Sequence, residues 1–169
     1  MSDEAREFHP ELLPRRGEVM AWAFALVVGL SMVWLHQALG NIPAIAWAFW
    51  GFLLFAGLSI SLGNWMDRHT IIRIGADGIA FENGLRRVRL TWPEVRKVNV
   101  LPARWGRSVQ VIGKKSHFEF QTLGEVSFQG EVKGKVGFAA GQEILDCILR
   151  ASRLRLIEET SKTRYYSRS

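Results

Sequence analysis

The chain has 169 residues, 48% of them hydrophobic, and a formal charge of +6. Its single cysteine, Cys147, excludes an internal disulfide and is compatible with a reducing compartment. Two apolar runs hold much of the hydrophobicity, and outside them about 100 residues remain, enough for one small domain with its own core.

Residues 1–18 are polar and carry Pro10 and Pro14. They are expected to form a short, mostly irregular arm. Val19–Leu35 and Ile42–Leu62 follow, and neither contains Asp, Glu, Lys or Arg. About 20 apolar helical residues match the roughly 30 Å hydrocarbon core of a bilayer. The first run is long for a signal peptide, lacks a small-x-small cleavage site and is followed at once by the second. The connector is short, so residues 19–66 are expected to form an antiparallel transmembrane hairpin. Asn41 suits a helix cap and Pro43 a first helical turn. Gly51 and Gly57 with Ala46, Ala48 and Ala56 in the second run, and Ala21, Ala25, Gly29 and Ser31 in the first, offer small surfaces for close helix packing, within the hairpin or against an outside partner. Trp22, Trp34 and Trp65 are candidate membrane-interface anchors.

Three Lys and Arg precede the first run, none lies in the connector and nineteen follow Leu62. The positive-inside rule therefore predicts a multi-pass protein with both termini cytoplasmic.

From Thr70 the hydrophobic period changes to two. Strands are expected over TIIRI, IAFE, LRRVRL, RKVNVL, SVQVIG and HFEFQT. Asn83-Gly84 predicts a type I′ hairpin turn. Pro93 begins a helical turn or tight bend, with Trp92 as an apolar anchor. The glycine-rich stretch 124–137 reads as short strands or as a long loop. Residues 139–159 read as one amphipathic helix, with Ile144, Leu145, Ile148 and Leu149 on its apolar stripe. The expected domain spans residues 67–158, and 159–169 are expected to be a flexible tail.

The run IIRIGADGIAFENGLRRVRLTWPEV, with GFAAGQEILDCIL at the far end, resembles the bacterial membrane-anchored pleckstrin-homology-like (PH-like) proteins, over roughly residues 68–157. A second bacterial family, an uncharacterised one with two spans and a β-rich tail, is similar in layout. The resemblance implies a membrane helical hairpin followed by an α+β domain, a PH-like antiparallel β-barrel or sandwich capped by a C-terminal amphipathic helix. It also implies the bacterial inner membrane. The first hairpin loop, Gly75–Gly78, carries no cation beyond Arg73, so the resemblance transfers no lipid-headgroup site.

No catalytic constellation is visible. His9, His36, His69 and His117 are scattered, without metal-ligand spacing. His36 is a candidate axial ligand for haem or a chlorophyll magnesium. The plainer reading, a hydrated interfacial histidine, is preferred, and no metal or cofactor is expected. Cys147 reads as a small buried thiol. No phosphate-cradling glycine motif occurs.

Past Leu62 there are nineteen Lys and Arg against eleven Asp and Glu. The candidate contacts for a partner or a lipid surface are Arg86, Arg87 and Arg89; Arg96 and Lys97; Arg104, Trp105 and Arg107; and Lys114 and Lys115. The plain alternative is a solvated strand face. Neither nucleic acid nor a small-molecule substrate is expected as a partner. The expected function is a non-enzymatic, membrane-anchored adaptor or accessory subunit, whose partners are the bilayer and other membrane subunits or further copies of the chain. The alternative is a sensor of anionic lipid or envelope stress.

Overall fold

The computed structural model describes residues 5–12, 14–128 and 131–168. The chain divides into two compact units, Pro14–Met66 and Met1–Leu13 with Asp67–Ser169.

The first unit is a helical hairpin of α1 (Arg16–Leu39) and α2 (Ala44–Arg68). α1 extends beyond its apolar run at both ends, whereas α2 begins two residues inside its run and continues past Leu62 to Arg68. α1 ends where the Gly40 N–H returns to the His36 carbonyl at 2.9 Å. Asn41 does not cap α2. Pro43 immediately precedes that helix and supplies its first acceptor, to the Ala46 N–H at 3.0 Å.

The second unit is antiparallel throughout its named strand pairs. β1 (Arg6–Phe8), β2 (Thr70–Ile74), β3 (Gly78–Asn83) and β4 (Arg87–Thr91) form one sheet in that order. A single 3-10 turn, Trp92–Glu94, leads to β5 (Val95–Pro102), β6 (Arg107–Gly113) and β7 (His117–Gln121). β8 (Gly124–Phe128) and β9 (Glu131–Val136) pair only with each other. Then come α3 (Gly141–Ser152), β10 (Arg155–Glu159) and β11 (Arg164–Ser167). The second sheet has the order β10-β11-β5-β6-β7.

Alternation explains the core. Ile79 and Phe81 on β3, Val88 and Leu90 on β4, and Val109 and Val111 on β6 point inward, with polar neighbours between most of them. The sheets face each other, and Phe81 of one stacks on Phe118 of the other at 5.2 Å between ring centroids. Ile144, Leu145 and Ile148 of α3 join the same core.

Several expectations are corrected. The arm is not wholly irregular. β1 pairs with β2, Phe8 packs against the core, and Arg6 reaches Glu143 at 2.7 Å; residues 1–4 and 13 of the arm lie outside the described residues. The amphipathic helix ends at Ser152, where the Arg153 and Leu154 N–H groups turn back to the Arg150 and Leu149 carbonyls at 3.3 and 3.2 Å. Arg153 there takes the left-handed conformation, with φ 53°. The tail is β11, paired with β5 through residues 164–167, and Tyr165 and Tyr166 are strong strand formers. The helix is therefore followed by a hairpin and is not the last element. The turn at Asn83 has positive φ at Gly84 alone, which fits type II′ and not type I′. The Asn83 side chain instead accepts the Arg86 N–H at 2.9 Å. The glycine-rich stretch holds the β8–β9 hairpin, whose Gln129 and Gly130 lie outside the described residues.

Candidate functional site

Both hairpin helices are long and apolar enough to cross a membrane. Only 11% and 6% of their most apolar stretches are buried by the protein itself. A core helix of a water-soluble domain would be mostly covered, so this surface suits a non-aqueous surrounding. The hairpin is held by polar contacts within the unit. The Trp22 indole N–H donates to the Ser61 hydroxyl at 2.8 Å, and that hydroxyl donates to Glu18 Oε1 at 2.9 Å. Asn64 Nδ2 donates to Glu18 Oε2 at 2.8 Å. Near the middle, the Trp50 indole N–H donates to the Ala25 carbonyl at 2.9 Å, and Trp47 meets Trp50 edge to face.

The small residues divide between two uses. Ala25 is fully covered, Gly29 faces Trp50, and Gly57 lies beneath the Trp22 ring. A side chain at Gly51 would meet open space. An apolar groove of about 740 Å³ runs along the hairpin past Trp22, Leu26, Leu30, Trp47 and Leu54. Trp22 is thus a hairpin clasp as well as a candidate anchor, while Trp34 and Trp65 present 67% and 41% of their surface.

The candidate contact cations fall into distinct places on the β unit. Thr70 pairs with Asn83, so the turn bearing Arg86 adjoins the residue at which β2 begins, and only His69 separates β2 from α2. Pro102 pairs with Arg107 across the turn bearing Arg104 and Trp105, with the Arg104 guanidinium 4.8 Å from the Trp105 ring centre. This second turn is linked to Glu11, three residues before the hairpin unit begins at Pro14. The Glu11 N–H bonds the Gly137 carbonyl at 2.8 Å, Phe138 bonds Leu123 and Gln121, and the Thr122 N–H bonds the Arg107 carbonyl at 2.9 Å. Val100 pairs with Arg164, which brings the β10–β11 turn to the same end of the second sheet as the Trp105 turn. Beside it, a recess of about 340 Å³ is lined by Arg107, Thr160, Ser161 and Lys162, with Glu159 and Arg164 paired at 2.7 Å. The hydrogen bond that Arg164 donates to Glu159, then the charge of that carboxylate, raises the Arg164 pKa.

The Lys114–Lys115 turn lies at the opposite end of that sheet, with the Lys114 N–H on the Glu94 carbonyl at 3.2 Å. There the Thr91 backbone N–H and then its hydroxyl, each 2.9 Å from Glu94 Oε2, hold the Glu94 pKa below its ordinary value. Arg96 and Lys97 are exposed on β5, beside β11.

Arg87 and Arg89 lie on the outer face of the first sheet, above a concavity of about 530 Å³. Arg87 pairs with Glu82, and Arg73 bridges Glu7 and Glu82. The hydrogen bond that Arg73 donates to Glu7 is the main reason the Arg73 pKa is raised. Two structurally important cations lay in the stretch read as a flexible tail. Besides Arg164 there is Arg168, whose guanidinium donates to the carbonyls of Pro93, Trp92 and Ser152 at 2.9, 3.2 and 3.1 Å. The adjacent strand-forming Tyr165-Tyr166 pair was the available signal.

Among the described residues no three His, Cys, Asp or Glu side chains gather as a metal site. His36 is exposed in the last turn of α1; His9 follows β1, His69 lies between α2 and β2, and His117 begins β7, all of them exposed. Cys147 is half-buried on α3, not fully buried. Comparison of the chain with protein-family models, curated proteins and solved structures gives no match.

Proposed function

We propose that this protein is a non-catalytic, membrane-anchored accessory subunit or adaptor of the bacterial inner membrane. Its two helices span the bilayer, both termini are cytoplasmic, and the β unit is a PH-like module presented to other membrane subunits or to further copies of the chain. The observation that carries this reading is the uncovered apolar surface of a hairpin already clasped by its own Trp22–Ser61–Glu18 contacts. The hairpin's own pairing leaves the groove past Trp47 and Leu54 for lipid or another helix. The two facing antiparallel sheets with α3 on their core support the PH-like comparison, and the terminal β10–β11 hairpin departs from it. Purification in mild detergent followed by native electrophoresis tests the proposal. A stoichiometric companion subunit or a discrete homo-oligomer is expected, and a lone monomer would contradict it.

A second reading, sensing of anionic lipid, is favoured by one observation. The turn bearing Arg86 adjoins the start of β2, which only His69 separates from α2, and the turn bearing Arg104–Arg107 is linked to Glu11, three residues before the hairpin unit begins.

A further inference from the structure

We propose that the β unit carries an anionic-phospholipid surface formed by the β3–β4, β5–β6 and β10–β11 turns, in which Arg107 and Lys162 hold a headgroup phosphate. This deepens the lipid reading above and rests on the hairpin spanning the bilayer.

Connectivity comes first. Only His69 lies between the end of α2 and the start of β2, and a residue spans at most about 3.6 Å. Beyond Leu62 the helix continues to Arg68, a rise of roughly 9 Å at about 1.5 Å per residue. The headgroup layer is about 5–8 Å thick on each side. Thr70 therefore emerges near the outer edge of that layer, within reach of an extended arginine on its neighbouring turn.

The chemistry of the turns agrees. Leu85 at the tip of the β3–β4 turn is 63% exposed, although it is apolar and next to Arg86. Trp105 sits at the tip of the β5–β6 turn with Arg104 over its ring. An aromatic or aliphatic tip flanked by cations suits the boundary between acyl chain and phosphate. Among the described residues the Arg86, Arg107 and Lys162 side chains have no ion-pair partner, so their charge is free for an outside anion. Arg107 and Lys162 line one recess with the Thr160 and Ser161 hydroxyls, a donor set for a phosphate oxygen. Glu159, the one acid there, is already bonded to Arg164. The surface is distinct from the Gly75–Gly78 loop, which carries Asp77 and no cation. It also excludes Lys114 and Lys115, which lie at the other end of the second sheet.

The test uses the full chain in nanodiscs, with a nitroxide at Leu85→Cys or Lys115→Cys in a Cys147→Ser background. The discs hold phosphatidylcholine alone or with phosphatidylglycerol. With phosphatidylglycerol, water-side accessibility at position 85 is expected to fall about threefold while position 115 is unchanged. Each of Arg86→Gln, Arg104→Gln, Arg107→Gln and Lys162→Gln is expected to weaken the docked state about fivefold. Phosphatidylcholine discs in millimolar inorganic phosphate distinguish free phosphate from headgroup, and no change at position 85 is expected there. Equal exposure of position 85 in both lipids, protection of position 115 instead, or full protection by free phosphate alone would each overturn the proposal. The unsubstituted cation set already gives this readout, so a variant that fails to fold does not decide it. Both faces of a disc are alike, so the result is independent of which side is cytoplasmic. Failure of the spanning reading shows separately, as a chain that does not co-elute with the discs.

Discussion

The Trp22 indole N–H lies 2.8 Å from the Ser61 hydroxyl, joining α1 to α2. The same hydroxyl donates to Glu18, so one oxygen of α2 makes two bonds to α1. Ser61→Ala removes both bonds and takes the acceptor away from the Trp22 indole N–H. Interhelical hydrogen bonds in membranes contribute about 0.6 kcal/mol on average and up to about 1.7. The expected loss of hairpin stability is about 1–2 kcal/mol, read as a lower thermal midpoint in detergent. Ser59→Ala, which removes only a bond to the carbonyl one turn back on α2, is the control and is expected to be silent.

Gly29 and Trp50 define a second contact. A β-carbon at Gly29 would come 2.7 Å from the Trp50 indole nitrogen. Gly29→Ala is therefore expected to push the ring away from the Ala25 carbonyl, at a cost of about 1–3 kcal/mol. Gly51→Ala, with open space around it, is expected to leave stability unchanged. Tryptophan emission and thermal midpoints compare the two.

Arg168 and Ser152 test the end of the β unit. Arg168→Gln leaves three carbonyls without their guanidinium and is expected to destabilise the unit by about 1–3 kcal/mol. Amide hydrogen exchange should then rise first in β10 and β11. The Ser152 hydroxyl is buried with no hydrogen-bond partner among the described residues. Ser152→Ala is expected to be neutral or to stabilise by about 1 kcal/mol, because a hydroxyl desolvated without a partner opposes folding.

Glu94 supplies a pH dependence. Its carboxylate accepts the Thr91 backbone N–H and hydroxyl, and its folded pKa lies below the ordinary value of 4.5. Unfolding raises that affinity for protons, so the contribution is fully present above the ordinary value and is lost as pH falls through the lower folded one. Thermal midpoints of wild type and Glu94→Gln are expected to differ most at neutral pH and to converge in acid. A gap that widens on acidification would contradict this.

Much of the fold was legible in local chemistry. The uncharged runs gave the two helices, and the alternation around Phe81, Val88, Val109 and Phe118 gave six strands and their inward faces. What stayed illegible depends on distant partners. Arg6–Phe8 is three residues long and becomes a strand only because β2 offers it an edge and Arg73 and Glu143 offer it charges. Arg164–Ser167 likewise needs the edge of β5. The stop after Ser152 looked weak in sequence, since Leu154, Leu156 and Ile157 continue the apolar content. The tertiary fold turns those residues into a hairpin. For the basic surface, sequence named the cations but not their sorting. Register separated Arg86, Arg104 and Arg107 from Lys114 and Lys115, and added Lys162 from a stretch read as unstructured.

The topology of the hairpin is measured most directly with a membrane-impermeant thiol reagent on Asn41→Cys and Lys115→Cys, each in a Cys147→Ser background. In intact spheroplasts position 41 is expected to react and position 115 to react only after the membrane is opened or inverted. Reaction of position 115 from outside, or release of the unlabelled chain from vesicles by alkaline carbonate, would contradict a spanning hairpin with a cytoplasmic β unit.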